Sequence, residues 1–216
     1  MREKEKHTRL IYVRHGMPDF PRDRLYCDER EDPLLTDEGV RQAEMAAELL
    51  QNEPVDAVYV SPMQRTRMTA QPIIDVLNVP FHVDDKLKER PFGLWDGMYF
   101  DDIQRDFPDE FKAWKRDPVG FVPQGGETIQ EHSDRISAAV QGIITRHPGE
   151  TIVVVMHVGP IRMCVTAALQ MPLSAYRRLT VDYGSLTRID YGRRQHNLIY
   201  LNRQLIRSGD PCRAPL

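Results

Sequence analysis

Three short apolar, largely β-branched runs in this chain each stop abruptly on polar chemistry, and that recurrence limits the folds open to it. Leu10-Ile11-Tyr12-Val13 ends in Arg14-His15-Gly16. Val55–Val60 ends in Ser61-Pro62-Met63-Gln64-Arg65, and Thr151–Met156 ends in His157-Val158-Gly159-Pro160. Runs of this kind read as buried strands, with Thr151–Met156 as a central parallel one. Helical patterns lie between them. Thr36-Asp37-Glu38 opens a helix with a capping hydroxyl and acids in its first turn, and Val40, Ala43, Ala47 and Leu50 form its apolar face. Ser61 as N-cap, Pro62 as first helical residue and Gln64 as a capping-box partner are expected to start a second helix. Pro72 is expected to bend or restart it. Gly125-Gly126-Glu127-Thr128 opens a third, whose buried stripe is Ile129, Ile136, Ala139, Val140 and Ile143, with Pro148-Gly149 ending it. Further strands are expected near Phe81–Asp84, Ser185–Tyr191 and Asn197–Asn202. Strand–crossover–strand units of this order give an α/β fold with a mostly parallel sheet.

Two stretches break the alternation. Residues 17–33 form a long loop rich in Pro, Asp and Arg, the kind of length that favours a functional loop. Residues 86–126 mix aromatic and charged residues with Pro91, Pro108, Pro118 and Pro123. They are expected to form a helical insertion of one or two short helices covering the edge of the sheet as a lid. Phe92, Trp95, Tyr99 and Trp114 are expected mainly to pack that lid. The domain expectation is a frayed tail over 1–7 and a single domain over 8–216, with the insertion at about 86–126.

Charge and cysteine content narrow the partners. With 29 Lys and Arg against 32 Asp and Glu, the net charge of −3 gives no broad basic footprint for nucleic acid or an anionic membrane. No apolar run approaches a membrane span, and Met1–His7 lacks an apolar signal core. Cys27, Cys164 and Cys212 suit neither a disulfide framework nor a zinc site, so a cytoplasmic location is expected. Cys164 is expected in the core. The oligomeric state, a homodimer included, is open.

In a parallel sheet, ligands bind beyond the carboxyl ends of the strands. If the three runs are neighbours, His15 and His157 meet Arg14 and Arg65 there, beside helix starts that present free backbone N–H groups. That set suits a tetrahedral anion. Phosphoryl transfer rests on positioning and preorganised positive charge, and arginine binds phosphate oxygens with a planar fork. His15 is expected to be the nucleophile, neutral at the attacking nitrogen if the other donates to a carbonyl. Gly16 is expected where the backbone makes a sharp exit or approaches a ligand closely. His157 is expected to donate to the phosphoryl oxygens. Glu89, flanked by Lys88 and Arg90, is the carboxyl chosen to protonate a leaving alkoxide, although residue context alone favours an ordinary exposed ion pair.

These motifs together resemble the histidine phosphatase superfamily, also called phosphoglycerate mutase-like, in its branch of small phosphatases similar to α-ribazole phosphatase. The likeness runs through Arg14-His15-Gly16, Pro33-Leu34-Leu35-Thr36 with Gly39 and Gln42-Ala43, and Ser61-Pro62-Met63-Gln64-Arg65. It continues in Leu87-Lys88-Glu89 with Phe92-Gly93-Leu94-Trp95-Asp96-Gly97, in Gly125-Gly126-Glu127-Thr128, and in His157 with Arg162. It implies a three-layer α/β/α sandwich and a phosphohistidine on His15. It also implies phosphoryl binding by Arg14, Arg65 and His157, a contribution from the Val158 N–H, and Glu89 as proton donor. Arg90 would bind a second anionic group, as in the mutases. Met17-Pro18-Asp19-Phe20-Pro21 departs from the family pattern, because Pro21 stands near the place of an Asn that binds phosphate. A phosphomonoesterase acting on a small phosphate ester, with no metal and no other cofactor, is the expected activity; a mutase, or a silent phospho-ligand module on the same fold, is the alternative.

Overall fold

The computed structural model describes residues 7–21, 23–25 and 31–205. Cys27, Cys212 and all of the expected tail except His7 lie outside the described residues. Strand β1 (Thr8–Arg14) leads to helix α1 (Asp37–Leu50), β2 (Ala57–Val60), α2 (Gln64–Leu77) and β3 (Phe81–Val83). Two short helices follow, α3 (Phe100–Asp106) and α4 (Pro108–Arg116), then α5 (Ile129–Arg146), β4 (Thr151–Met156) and α6 (Val158–Ala168). The hairpin β5 (Leu186–Tyr191) and β6 (His196–Arg203) completes the described elements. The strands form one sheet in the order β3-β2-β4-β1-β5-β6. Neighbours from β3 to β1 are parallel, and β5 and β6 are antiparallel. This is the mostly parallel α/β sheet that the alternation of elements predicts.

Because side chains alternate across a sheet, each central strand feeds two cores. Leu10, Tyr12, Ile152, Val154 and Met156 pack on α5 and α6 through Ile136, Ile143, Ile161 and Val165. Ile11, Val13, Val153 and Val155 join Val58 and Val60 on the other face, against Ala46, Ala47 and Leu50 of α1 and Ala70 and Ile73 of α2. Burying an aliphatic side chain of this size contributes about 1.5–3 kcal/mol. That is why β1 and β4 are central. Cys164 is buried here, and burial pushes its thiol up to about 12, so it behaves as an apolar group.

The α5 start is a full capping box: Thr128 accepts from the Glu131 N–H, and Glu131 accepts from the Thr128 N–H. The α2 start differs from expectation. Met63 is its N-cap, and the Gln64 N–H donates to the Asp32 carboxylate at 2.7 Å. Ser61 is buried and its hydroxyl is engaged by His157, so it cannot serve as the cap. Helix α2 runs on unbroken through Pro72. Val40 is 39 % exposed rather than buried, because Gly39, Ala43, Ala46, Ala47 and Leu50 supply the inner face of α1.

Residues 86–126 build a small core of their own around Trp95, Ile103 and Phe111. Trp95 stacks on Phe121 at 4.9 Å between centroids, and Trp114 lies parallel to Phe100 at 6.0 Å. The expected coverage of the sheet edge is not seen. Phe81 and Val83 on β3 stay 55 % and 43 % exposed, because this segment is held instead by its own aromatics and by Arg90.

The exit from β1 is set by backbone contact. A methyl group on Gly16 would collide with the Gly39 carbonyl, and one on Gly39 with the Met17 carbonyl. The Met17 carbonyl also accepts from the Thr36 N–H and hydroxyl, at 2.9 and 3.1 Å. This crossing fixes where β1 stops. Gly39→Ala is expected to lower the unfolding free energy by about 1–3 kcal/mol, read from the urea midpoint. An unchanged midpoint would mean that the crossing is loose.

Candidate active site

The sheet register assembles the site. In the parallel β1–β4 pair Arg14 lies opposite Met156, so the next residue of each strand is a histidine. The His15 and His157 rings stand 5.1 Å apart between centroids, with planes at 66°. Val60 pairs with Val155 across β2–β4, which brings the Ser61 hydroxyl to 2.8 Å from His157 Nε2. A cavity of about 240 Å³ opens over these strand ends, lined by Arg14, His15, Arg65, Glu89, His157 and Val158 among others. Arg90 also lines it. Gly16 does not appear on the cavity wall: its N–H donates to Thr69 Oγ1 at 2.9 Å and its α-carbon is pressed on Gly39.

His15 Nδ1 lies 2.8 Å from the Gly16 carbonyl. A carbonyl only accepts, so Nδ1 carries the ring hydrogen and Nε2 keeps its lone pair. Arg14 donates to the Val181 carbonyl at 2.6 Å, and its guanidinium lies 3.7 Å from the centroid of the Tyr183 ring. Arg65 is 1 % exposed and pairs with Asp32 at 3.3 Å, the same carboxylate that caps α2. Thr69 donates to the Arg65 carbonyl and accepts from Gly16, tying the first turns of α2 to the end of β1.

Glu89 enters from the segment after β3. Its Oε1 accepts from the Arg90 N–H at 2.8 Å, and its Oε2 from the Gly159 N–H at 2.9 Å. A methyl group on Gly159 would overlap Glu89 Oε1, so glycine at the head of α6 is what admits the carboxylate. Arg90 is buried: its Nε donates to the Glu127 carbonyl at 2.6 Å, and its guanidinium lies over Phe92 at 4.7 Å.

Both imidazoles are held neutral. Burial, then the charges of Arg65 and Arg14, push His15 well below its ordinary value, and the Gly16 carbonyl only partly opposes them. Burial, then Arg65, His15 and Arg14, do the same to His157. A neutral histidine is what a nitrogen nucleophile requires.

A family model for the histidine phosphatase superfamily (branch 1) matches residues 10–204. The chain belongs to that superfamily. Phosphoserine phosphatase 1 of Hydrogenobacter thermophilus is 30 % identical over 195 residues, covering 90 % of this chain and 92 % of that protein. The adenosylcobalamin/alpha-ribazole phosphatase of Escherichia coli is 28 % identical over 198 residues, covering 92 % and 97 %. The solved structure of alpha-ribazole phosphatase from Shigella flexneri superposes with a TM-score of 0.83 at 27 % identity, covering 90 % of this chain and 96 % of that one.

At this candidate site, three contributors escape motif reading. Ser61 looks like a helix cap but contacts His157. Tyr183 lies against Arg14 and 5.6 Å from the His15 ring, yet it sits in a loop before β5 with no pattern to mark it. His132 lines the cavity and is 1 % exposed. Its spacing from Ile129 and Ile136 does place it on the buried face of α5, which was the available signal. Among the described residues, no three His, Cys, Asp or Glu side chains gather as a metal site, and no helix is long and apolar enough to cross a membrane.

The neutral pair sets a pH dependence. Below about pH 6.5 the unfolded chain protonates both histidines while the folded chain does not, so stability falls as pH drops. Each ring is expected to contribute a slope of up to about 1.4 kcal/mol per pH unit from pH 6.5 down to its folded value. His15→Asn and His157→Asn should each flatten the slope of unfolding free energy between pH 6.5 and 5. Slopes unchanged in both variants would show that the rings protonate freely in the fold.

Proposed function

We propose that this chain is a metal-independent phosphomonoesterase that hydrolyses a small phosphorylated metabolite through a phosphohistidine on His15. The observation that carries this reading is the Nδ1 contact of His15 with Gly16, which leaves a neutral imidazole with an available Nε2 beside the guanidiniums of Arg14 and the buried Arg65. Superfamily membership, and phosphatases among the relatives, agree with it.

In the first half-reaction Nε2 attacks phosphorus and the ester oxygen departs with the P–O electron pair. Arg14, Arg65 and the N–H of Val158, the first donor of α6, offset charge on the phosphoryl oxygens. With the Ser61 hydroxyl donating to His157 Nε2, the buried Nδ1 of His157 keeps its hydrogen and donates to the same oxygens. Glu89 gives its proton to the leaving alkoxide. In the second half-reaction Glu89 takes a proton from water, whose oxygen attacks phosphorus; the P–N bond breaks, releasing phosphate and restoring the imidazole. Arg90 holds the segment carrying Glu89 in place, which makes that segment the lid of the site. Its backbone-bound guanidinium favours this structural duty over binding a second anion.

Incubation with a labelled phosphate ester and rapid quenching is expected to leave base-stable, acid-labile label on the wild-type protein and none on His15→Ala. His15→Ala should retain less than about one-thousandth of the turnover of p-nitrophenyl phosphate. Normal turnover by this variant would refute the reading. Interconversion of phosphoglycerates with a bisphosphate primer, faster than their hydrolysis, would establish a mutase in its place.

A further inference from the structure

The imidazole of His132 is a polar group of the cavity wall that takes no part in the proposed half-reactions. It lies in the first turn of α5, buried at the cavity wall, with Nδ1 2.9 Å from Arg135 Nη2 and 3.1 Å from Glu127 Oε2. A guanidinium offers hydrogens and no lone pair, so a hydrogen on Nδ1 would face one from Arg135 across 2.9 Å. Glu127 is already held by Arg135 at both oxygens, through Nε at 2.8 Å and Nη2 at 2.7 Å. Burial pushes the Glu127 carboxyl up, but the Arg135 guanidinium brings it down to about 2, so it stays an anion. Nδ1 therefore accepts, and Nε2 bears the ring hydrogen.

That Nε2 is buried, has no hydrogen-bond partner, and lies 3.9 Å from Glu89 Oε1. Leaving a buried donor unsatisfied costs about 1–3 kcal/mol, which a ring serving only as filler has no reason to carry. The acceptor facing it is Glu89, the carboxyl that delivers the proton in the proposed mechanism. Catalytic hydrogen bonds are often long in an empty site and tighten with substrate.

We infer that His132 is a positioning residue that decides which oxygen of Glu89 carries the catalytic proton. As Glu89 tightens onto substrate, Oε1 accepts from both the Arg90 N–H and His132 Nε2–H, and so becomes the carbonyl-like oxygen. The proton then resides on Oε2, beside the Gly159 N–H at the head of α6, where the phosphoryl group and its leaving oxygen are bound. The Glu127–Arg135 pair fixes the tautomer of His132 and hence the direction of its donor. Gly159 keeps the gap narrow, since a methyl group there would lie 3.1 Å from His132 Nε2.

This inference rests on Glu89 as proton donor, and leaving-group chemistry tests it. An alkyl phosphate needs its leaving oxygen protonated, whereas p-nitrophenolate departs without help. His132→Phe keeps the ring and removes the donor; His132→Gln returns an N–H near the Nε2 position. His132→Phe is expected to lower the alkyl-to-aryl ratio of kcat/KM by about tenfold, and His132→Gln to bring the ratio back to within about threefold of wild type. In a Glu89→Gln background, His132→Phe should no longer change the ratio. Equal losses on both substrates, a ratio that His132→Gln does not recover, or an undiminished effect without Glu89 would each overturn the inference. Failure of the phosphohistidine reading would show separately, as unimpaired aryl phosphate turnover by His15→Ala.

Discussion

The site depends on one register. Because β1 and β4 run parallel with Arg14 opposite Met156, both chains leave the sheet at the same level, each on a histidine. Placing two imidazoles and two guanidiniums in one corner, where all but Arg14 are buried, is unfavourable without an anion, and the fold offsets it locally. Asp32 neutralises part of Arg65, Tyr183 receives the face of Arg14, and the imidazoles surrender their protons. On the proposed mechanism the corner gains from a doubly charged anion entering it, which is how preorganised charge lowers a phosphoryl-transfer barrier.

Around that corner, the packing serves position more than chemistry. The two cores that bury opposite faces of β1 and β4 prevent either strand from sliding, since a slip of one residue would move every side chain into the opposite core. The glycine crossing at Gly16 and Gly39 fixes the exit of β1. The small aromatic core of residues 86–126, joined to the Glu127 carbonyl through Arg90, carries Glu89 to the head of α6. Glu89 and His15 thereby reach one cavity from separate parts of the chain.

How much of this was legible in the sequence follows from how local each signal is. The strands, the α5 stripe from Ile129 to Ile143 and the meeting of His15 with His157 could be read, because period and strand-end chemistry are local and the crossover rule is general. The start of α2 could not, since its cap is Asp32, brought in by a distant loop, while the apparent cap Ser61 is claimed by a neighbouring strand. Tyr183 owes its place to tertiary packing against β1 and left no local trace. His132 had the spacing of a core residue, and only its neighbours Glu127, Arg135 and Glu89 distinguish it from one.

The central claim is that this crowded corner binds a phosphoryl group in line with His15 Nε2. A crystal structure of the protein soaked with orthovanadate tests it most directly. The account predicts a five-coordinate vanadium bonded to His15 Nε2, its equatorial oxygens within hydrogen-bond distance of Arg14, Arg65 and His157, and an apical oxygen toward Glu89. Vanadate bound elsewhere in the cavity, or held by the arginines with His15 Nε2 off the axis, would contradict it.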